Sequence, residues 1–232
     1  KQLHAIDGLL AEGINGLAIS PYNDKAVREK IDELHSLGIP VVTLNTDIEN
    51  SRRMAYVGSH FYRSGETAGG LMHLMTSGEV LVGIISGSQN VLCHTERIAG
   101  FRHVIKSYGG IQIVETINNS DDETQSYGLT AAMLHRHPEI NALYFTAGGV
   151  YGGCRAVMDS GRHQDITVIT YDMVSTTREF IENGLISATI CQQPFLQGSK
   201  PLSLLFTYLT TGERPALEND YVDIDIRIRE NL

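Results

Sequence analysis

Nowhere does this sequence approach the ~18 consecutive apolar residues that a membrane-spanning helix requires. It opens Lys1-Gln2-Leu3-His4-Ala5, without the apolar core of a secretion signal. It contains no Cys-x-x-Cys and no His-Glu-x-x-His, so no metal is expected. It lacks a Gly-x-Ser-x-Gly elbow and a Walker loop, which leaves catalysis without its usual nucleophile or phosphate cradle. A binding protein rather than an enzyme is expected, with no cofactor. Cysteine is scarce: Cys93, Cys154 and Cys191 are odd in number and match no disulfide or metal spacing. Lone thiols suit a reducing compartment, and each reads as a small core residue. Basic clusters are missing too, since Arg52-Arg53 and Arg227/Arg229 are isolated pairs on a chain of net charge −9. Such a surface repels phosphate backbones, so this chain by itself is not expected to bind nucleic acid.

What is present is an ordinary globular composition, 42% hydrophobic and 19% charged, with helix and strand patterns in regular alternation. A helix from Leu3 to Ala11 is stopped by Gly13, and Gly16 to Ser20 is a short buried strand. Asp24 caps a helix carrying Val27, Ile31, Leu34 and Leu37, and Ile39 to Leu44 is the next strand. The pattern repeats: strands at Tyr56-Val57, Glu79 to Ile85, Ile111 to Ile117, Ala142 to Phe145, Ile166 to Thr170 and Ser187 to Cys191 alternate with helices. Tyr221 to Ile228 alternates apolar and polar residues and reads as one half-exposed strand.

Continuously apolar strands between helices mean parallel sheets covered on both faces. The strands are too many for one small sheet, which points to an α/β chain of two doubly wound lobes. The crossings are expected at Met75 to Glu79 and at Gln192-Gln193-Pro194. Residues 1–76 and 193–218 then form the N-terminal lobe, and residues 77–192 and 219–232 the C-terminal lobe. A doubly wound lobe normally begins on a strand, whereas this chain begins on a helix. One βαβ unit of roughly 30 residues is therefore expected ahead of Lys1.

In open parallel sheets, ligands bind beyond the carboxyl ends of the strands. The loops there begin at Ser20-Pro21, Asn45-Thr46-Asp47, Ser86-Gly87-Ser88, Asn118 to Asp122, Thr146-Ala147-Gly148, Tyr171-Asp172 and Gln192-Gln193. Arg97 follows in the first turn of its helix. Asp and Asn after strands are common turn formers and caps. Convergence of all these polar loops on the same sheet edges favours a site for a hydroxyl-rich ligand, which needs a donor and an acceptor at each hydroxyl. The rival is Gly148 to Gly153, a glycine-rich turn followed by Asp172 at the ribose-binding distance of a nucleotide fold. Its spacing departs from Gly-x-Gly-x-x-Gly, and close backbone packing explains it equally well.

Several runs resemble one known family. Gly38 to Asp47 resembles the strand and ligand loop of type I periplasmic sugar-binding proteins and LacI-type regulators. Tyr56-Val57-Gly58-Ser59 with Gly65 to Ala68, the Arg97-x-x-Gly100-Phe101 helix start, Val168 to Asp172, and Ala188 to Pro194 are similar to its later elements. The resemblance spans essentially the whole chain. It implies two lobes that close around a small polar ligand such as a sugar. It also implies ligand roles for Asn45, Arg97, Asp172 and Gln192, with Asp47 on the same loop and Asp122 as a further candidate. Gly148 stands where relatives often carry Asn, which leaves room for a bulkier ligand or for Tyr151.

The ending Ile224 to Leu232, with its Arg-Glu-Asn, and the stretch Tyr144 to Gly152 look like LacI-type regulators. With the lone thiols, they favour the effector-binding core of a bacterial transcriptional regulator. Such a protein is expected to be cytoplasmic and dimeric, contacting DNA only through an absent N-terminal part and responding allosterically to a sugar or related polyol. A periplasmic sugar-binding protein of a transport system is the alternative, and a nucleotide-dependent enzyme a further one.

Overall fold

The computed structural model describes residues 1–232. In chain order the elements are α1 (Gln2–Ala11), β1 (Leu17–Ile19), α2 (Lys25–Ser36), β2 (Val41–Leu44), β3 (Ala55–Gly58), α3 (Phe61–Met75), β4 (Val80–Ser86), α4 (Leu92–Tyr108), β5 (Ile111–Asn118), α5 (Glu123–Arg136), β6 (Ala142–Phe145), α6 (Val150–Asp159), β7 (Thr167–Tyr171), α7 (Ser175–Glu182), β8 (Ala188–Cys191), α8 (Pro194–Thr211), β9 (Asn219–Tyr221) and β10 (Asp225–Arg227), with a last 3-10 turn at Arg229–Asn231. They form two compact units. Unit 1 holds Lys1–His60, Asn90–Leu92 and Gln193–Asp223; unit 2 holds Phe61–Gln89, Cys93–Gln192 and Ile224–Leu232.

Unit 1 is a four-stranded parallel sheet in the order β1-β2-β3-β9. Asp24 begins α2 as the sequence pattern requires, its carboxylate accepting the Ala26 N–H at 2.8 Å. The buried face of α2, Val27, Ile31 and Leu34, packs with Ile6, Leu17, Val41 and Ile48. Leu205 of α8 covers the other face over Val42, Ala55 and Val57. Strands apolar on both sides thus find a helix on each, which is why they read as unbroken hydrophobic runs.

Unit 2 is a six-stranded sheet ordered β10-β8-β7-β6-β4-β5, parallel except for β10, which runs antiparallel to β8. Successive residues of β4 serve opposite faces. Ile84 joins Met72, Phe101, Tyr144 and Ile190, while Ile85 joins Met133, Phe145, Val157 and Phe180. Each such side chain contributes about 1.5–3 kcal/mol by leaving water. α3 and α4 cross at backbone contact. A Cβ on Gly65 would overlap the Arg97 carbonyl, and one on Gly100 would overlap the Tyr62 carbonyl. These two glycines therefore set how closely α4 is seated.

The structure differs from the sequence reading at two places. The run from Tyr221 to Ile228 is two strands rather than one: β9 pairs with β3 in unit 1 and β10 with β8 in unit 2. Alternating polarity satisfies either sheet edge, so periodicity alone cannot reveal the exchange. The first unit boundary falls at His60/Phe61 rather than within Met75 to Glu79, because α3 lies against β7 and β8. Another falls between Gln192 and Gln193.

Candidate functional site

β4 is flanked by β5 on one side and β6 on the other, so the winding of the unit 2 sheet reverses there. Loops beyond the strand ends part at such a switch point and leave room for ligand. Arg97 grows out of α4, the helix that follows β4, and is 4% exposed. Its Nη1 donates to the Thr146 carbonyl at 2.7 Å, at the end of β6. Its Nη2 donates to Gln192 Oε1 at 2.6 Å, beyond β8. Gln192 Nε2 donates in turn to Asp172 Oδ1 at 2.9 Å, beyond β7. The chain Thr146–Arg97–Gln192–Asp172 thus laces together the ends of three strands.

The buried guanidinium lies over Tyr171, 3.6 Å from the ring centroid, with the Phe61 ring at 5.6 Å. Burial opposes the charge, but Cys93, Tyr171, Tyr144 and Asp172 around it hold its pKa above the ordinary arginine value. Its Nε is buried without a partner in the chain. The Tyr171 hydroxyl meets Tyr144 at 2.9 Å and Ser64 at 3.2 Å, and burial pushes both phenols up, so both are neutral. A charge-assisted hydrogen bond contributes about 1.5–3 kcal/mol against about 0.5–1.5 for a neutral one. The network therefore has the means to fix the Asp172 carboxylate before any ligand arrives.

Asp172 is exposed and left-handed, at φ 65°. That region is costly for a residue with a side chain, by about 1–3 kcal/mol. Its carbonyl accepts from Thr189 Oγ1 at 2.9 Å and its N–H donates to the Ile190 carbonyl at 3.0 Å, which holds it there. Unit 1 repeats the device. Asn45, just past β2, is exposed at φ 59°, with the Tyr56 hydroxyl, which donates to the Ser59 carbonyl at 3.0 Å, lying 3.3 Å from its own carbonyl.

The remaining residues picked out from sequence have other partners. Asp47 accepts two hydrogen bonds at 2.7 Å from Arg53 and one from Thr43 Oγ1. Asp122 caps α5 through the Gln125 N–H at 2.8 Å. Tyr151 stacks on Phe180 of α7. Gly148 joins the strand-end network by its backbone, donating to Asp121 Oδ1 at 2.8 Å and accepting from Asn119 Nδ2 at 2.7 Å. Sequence reasoning missed His94, and within the strand-end loop Asn118 to Asp122 it singled out Asp122 rather than Asn119 or Asp121. In Asn119-Ser120-Asp121-Asp122, only the capping geometry tells which aspartate is taken by the helix and which turns toward Gly148. His94 stands one turn before Arg97 on α4 and carries no sequence signal. Its Nδ1 faces the same Thr146 carbonyl, at 3.0 Å.

The chain forms two α/β units, and in unit 2 polar side chains gather at the strand ends around a buried cation. The chain matches the periplasmic binding protein domain over residues 1–214 and belongs to that family. Its fold is the α/β type I periplasmic-binding-protein fold. GanP, a glucose-galactose binding protein from Geobacillus stearothermophilus, superposes with a TM-score of 0.93 at 27% identity, covering 99% of this chain and 82% of that one. The ribose import binding protein RbsB of Bacillus subtilis is 26% identical over 85% of this chain and 64% of its own length. The xylose/arabinose-binding protein XylF of Sulfolobus acidocaldarius is 26% identical over 88% of this chain and 54% of its own length. The chain thus spans less than two thirds of the length of these two relatives.

These matches correct the expectation of a LacI-type regulator, and with it the transcriptional role, the DNA contact and the cytoplasmic location. The relatives are named as sugar-binding proteins, one of them for ribose import, and the family is named for the periplasm. No match supports the expected dimer. The features that favoured a regulator have local explanations. In the Arg-Glu-Asn ending, Asn231 accepts the Ile228 N–H at 2.8 Å and donates to the Ile226 carbonyl at 3.0 Å, while Arg227 donates to the Asn231 carbonyl. That is a clasp closing the chain end. Cys93 and Cys154 are buried, and burial raises their pKa values as it does that of Cys191, so unpaired thiols carry no message about compartment.

Proposed function

We propose that this chain is the sugar-binding component of an extracytoplasmic import system, holding a sugar at the strand-end edge of unit 2. The observation that carries the reading is the Arg97–Gln192–Asp172 chain. It orients a carboxylate whose second oxygen is available for ligand hydroxyls, beside a buried cation. Gly148, two residues beyond the Thr146 carbonyl that holds Arg97, offers close backbone approach at the same edge. Asn45 holds the same left-handed strand-end position in unit 1. Support for the import role comes from relatives named for ribose and for xylose/arabinose, and the partner is then a membrane transporter rather than DNA.

The test is calorimetric titration with ribose, xylose, arabinose, glucose and galactose. At least one is expected to bind, and Asp172→Asn is expected to weaken it by about 10-fold or more, the loss of one charge-assisted hydrogen bond. Wild-type affinity in Asp172→Asn would remove that residue from the site, and no binding by these five or by their amino derivatives would remove the reading.

A further inference from the structure

Resting on the reading of the unit 2 edge as a sugar site, we propose that the gap between His94 and Asp121 seats a protonated amine, so that the ligand is an amino sugar. The Thr146 carbonyl facing His94 Nδ1 can only accept, so Nδ1 carries the ring hydrogen. In the neutral ring Nε2 is then a bare acceptor. It points at Asp121 Oδ2, 3.6 Å away, too far for a hydrogen bond. Two acceptors thus face each other with no hydrogen between them. A sugar hydroxyl brings one hydrogen and satisfies one of them. An ammonium brings three, satisfies both and neutralises the carboxylate.

Both acceptors are fixed. Asp121 sits at φ 59°, its N–H donating to Asn119 Oδ1 at 2.9 Å while its Oδ1 takes the Gly148 N–H. The preceding Ser120 is left-handed too, at φ 54°, and its N–H donates to Asn118 Oδ1 at 2.9 Å. Two consecutive strained residues hold the carboxylate where it stands. Glycines make the room: a Cβ on Gly87 would come within 2.6 Å of both Asp121 Oδ2 and His94 Nε2, and one on Gly148 within 3.3 Å of Asp121 Oδ1.

The groups facing the imidazole are Cys93 and Arg97 of its own helix, Thr146 beyond β6, Asp121 beyond β5 and Gly87 beyond β4. Burial lowers the His94 pKa most. The Thr146 carbonyl and Asp121 oppose it, and Arg97 adds to it. The net direction leaves the ring neutral at pH 7. The positive charge of Arg97 is already shared between Thr146, Gln192 and the Tyr171 ring, while the carboxylates of Asp121 and Asp172 stand exposed at this edge. An anionic sugar is disfavoured there and a cationic one favoured.

The experiment is titration of the whole chain at pH 7.5 with glucosamine, galactosamine and mannosamine, each beside its parent sugar and its N-acetyl form. At least one amine is expected to bind about 10-fold or more tighter than its parent, the difference between a charge-assisted and a neutral contact. Asp121→Asn keeps the Oδ1 acceptor for Gly148 and tolerates the left-handed backbone, so it is expected to fold. Its added N–H₂ closes the gap toward His94, and the amine-to-parent ratio is expected to fall to about one. Parents binding as well as every amine would overturn the inference and leave the sugar site standing. Failure of parents and amines alike would end both. Nitrogen NMR showing His94 as imidazolium in the free protein at pH 7.5 would also overturn it, since the gap would then hold its own proton.

Discussion

The Arg97 guanidinium rests on the face of Tyr171, 3.6 Å from the ring centroid, and the residue after that tyrosine is Asp172. One strand end therefore supplies both the platform for the cation and the carboxylate that the cation orients through Gln192. A stacked planar cation with two directed donors cannot be replaced by a point charge.

Arg97→Lys is accordingly expected to abolish any sugar-induced rise in melting temperature. It is also expected to destabilise the free protein by about 1.5–3 kcal/mol, through the lost stack and the lost bond to Gln192. Thermal unfolding with and without sugar measures the first, and urea denaturation the second. A lysine variant with native affinity would show that the fork plays no part in orienting Asp172.

The α3–α4 crossing gives a sharp contrast between two glycines. Gly100→Ala places a methyl against the Tyr62 carbonyl, so it is expected to cost about 1–3 kcal/mol and to disturb the seat of Arg97. Gly128, exposed in α5, has open space where a methyl group would go and no such constraint. Gly128→Ala is expected to stabilise by about 0.5–1 kcal/mol. Equal effects of the two changes in thermal unfolding would mean that the helices do not meet backbone to backbone.

His94 predicts a pH dependence of stability. Burial, the main cause, lowers its pKa below the ordinary 6.5. Below that value the unfolded chain takes up a proton that the folded chain resists, so stability is lost as pH falls through about 6.5 toward the folded pKa, and is fully present above it. Comparing denaturation midpoints of native protein and His94→Gln between pH 7.5 and 5 isolates this contribution. The native protein is expected to lose more stability over that interval than the variant, and parallel curves would sink the assignment.

Much of the architecture was legible because it rests on local rules. Val27, Ile31 and Leu34 at helical spacing, Asp24 as a cap and the apolar runs of β2 and β4 each declare their element without reference to the rest of the chain. Gln192 and Asp172 were legible as candidates because both stand just past strand ends, where parallel sheets bind ligands, and Arg97 because it lies on the helix that follows such a loop, in an Arg-x-x-Gly-Phe run. The exchange of sheets between Tyr221 and Asp225 was not legible, because alternating polarity serves an edge strand of either unit.

The sequence by itself determined the alternation of helix and strand, the parallel sheets and the polar strand ends, since these follow from side-chain period and the turn chemistry of each segment. Only the tertiary structure decided that Asp121 rather than Asp122 turns toward Gly148, that His94 shares a carbonyl with Arg97, and that Gln192 carries the orientation of that arginine to Asp172. Those contacts join residues 20 to 95 positions apart. They depend on the order of strands in the sheet and on the glycine-set approach of α3 to α4, quantities that no local window of sequence contains.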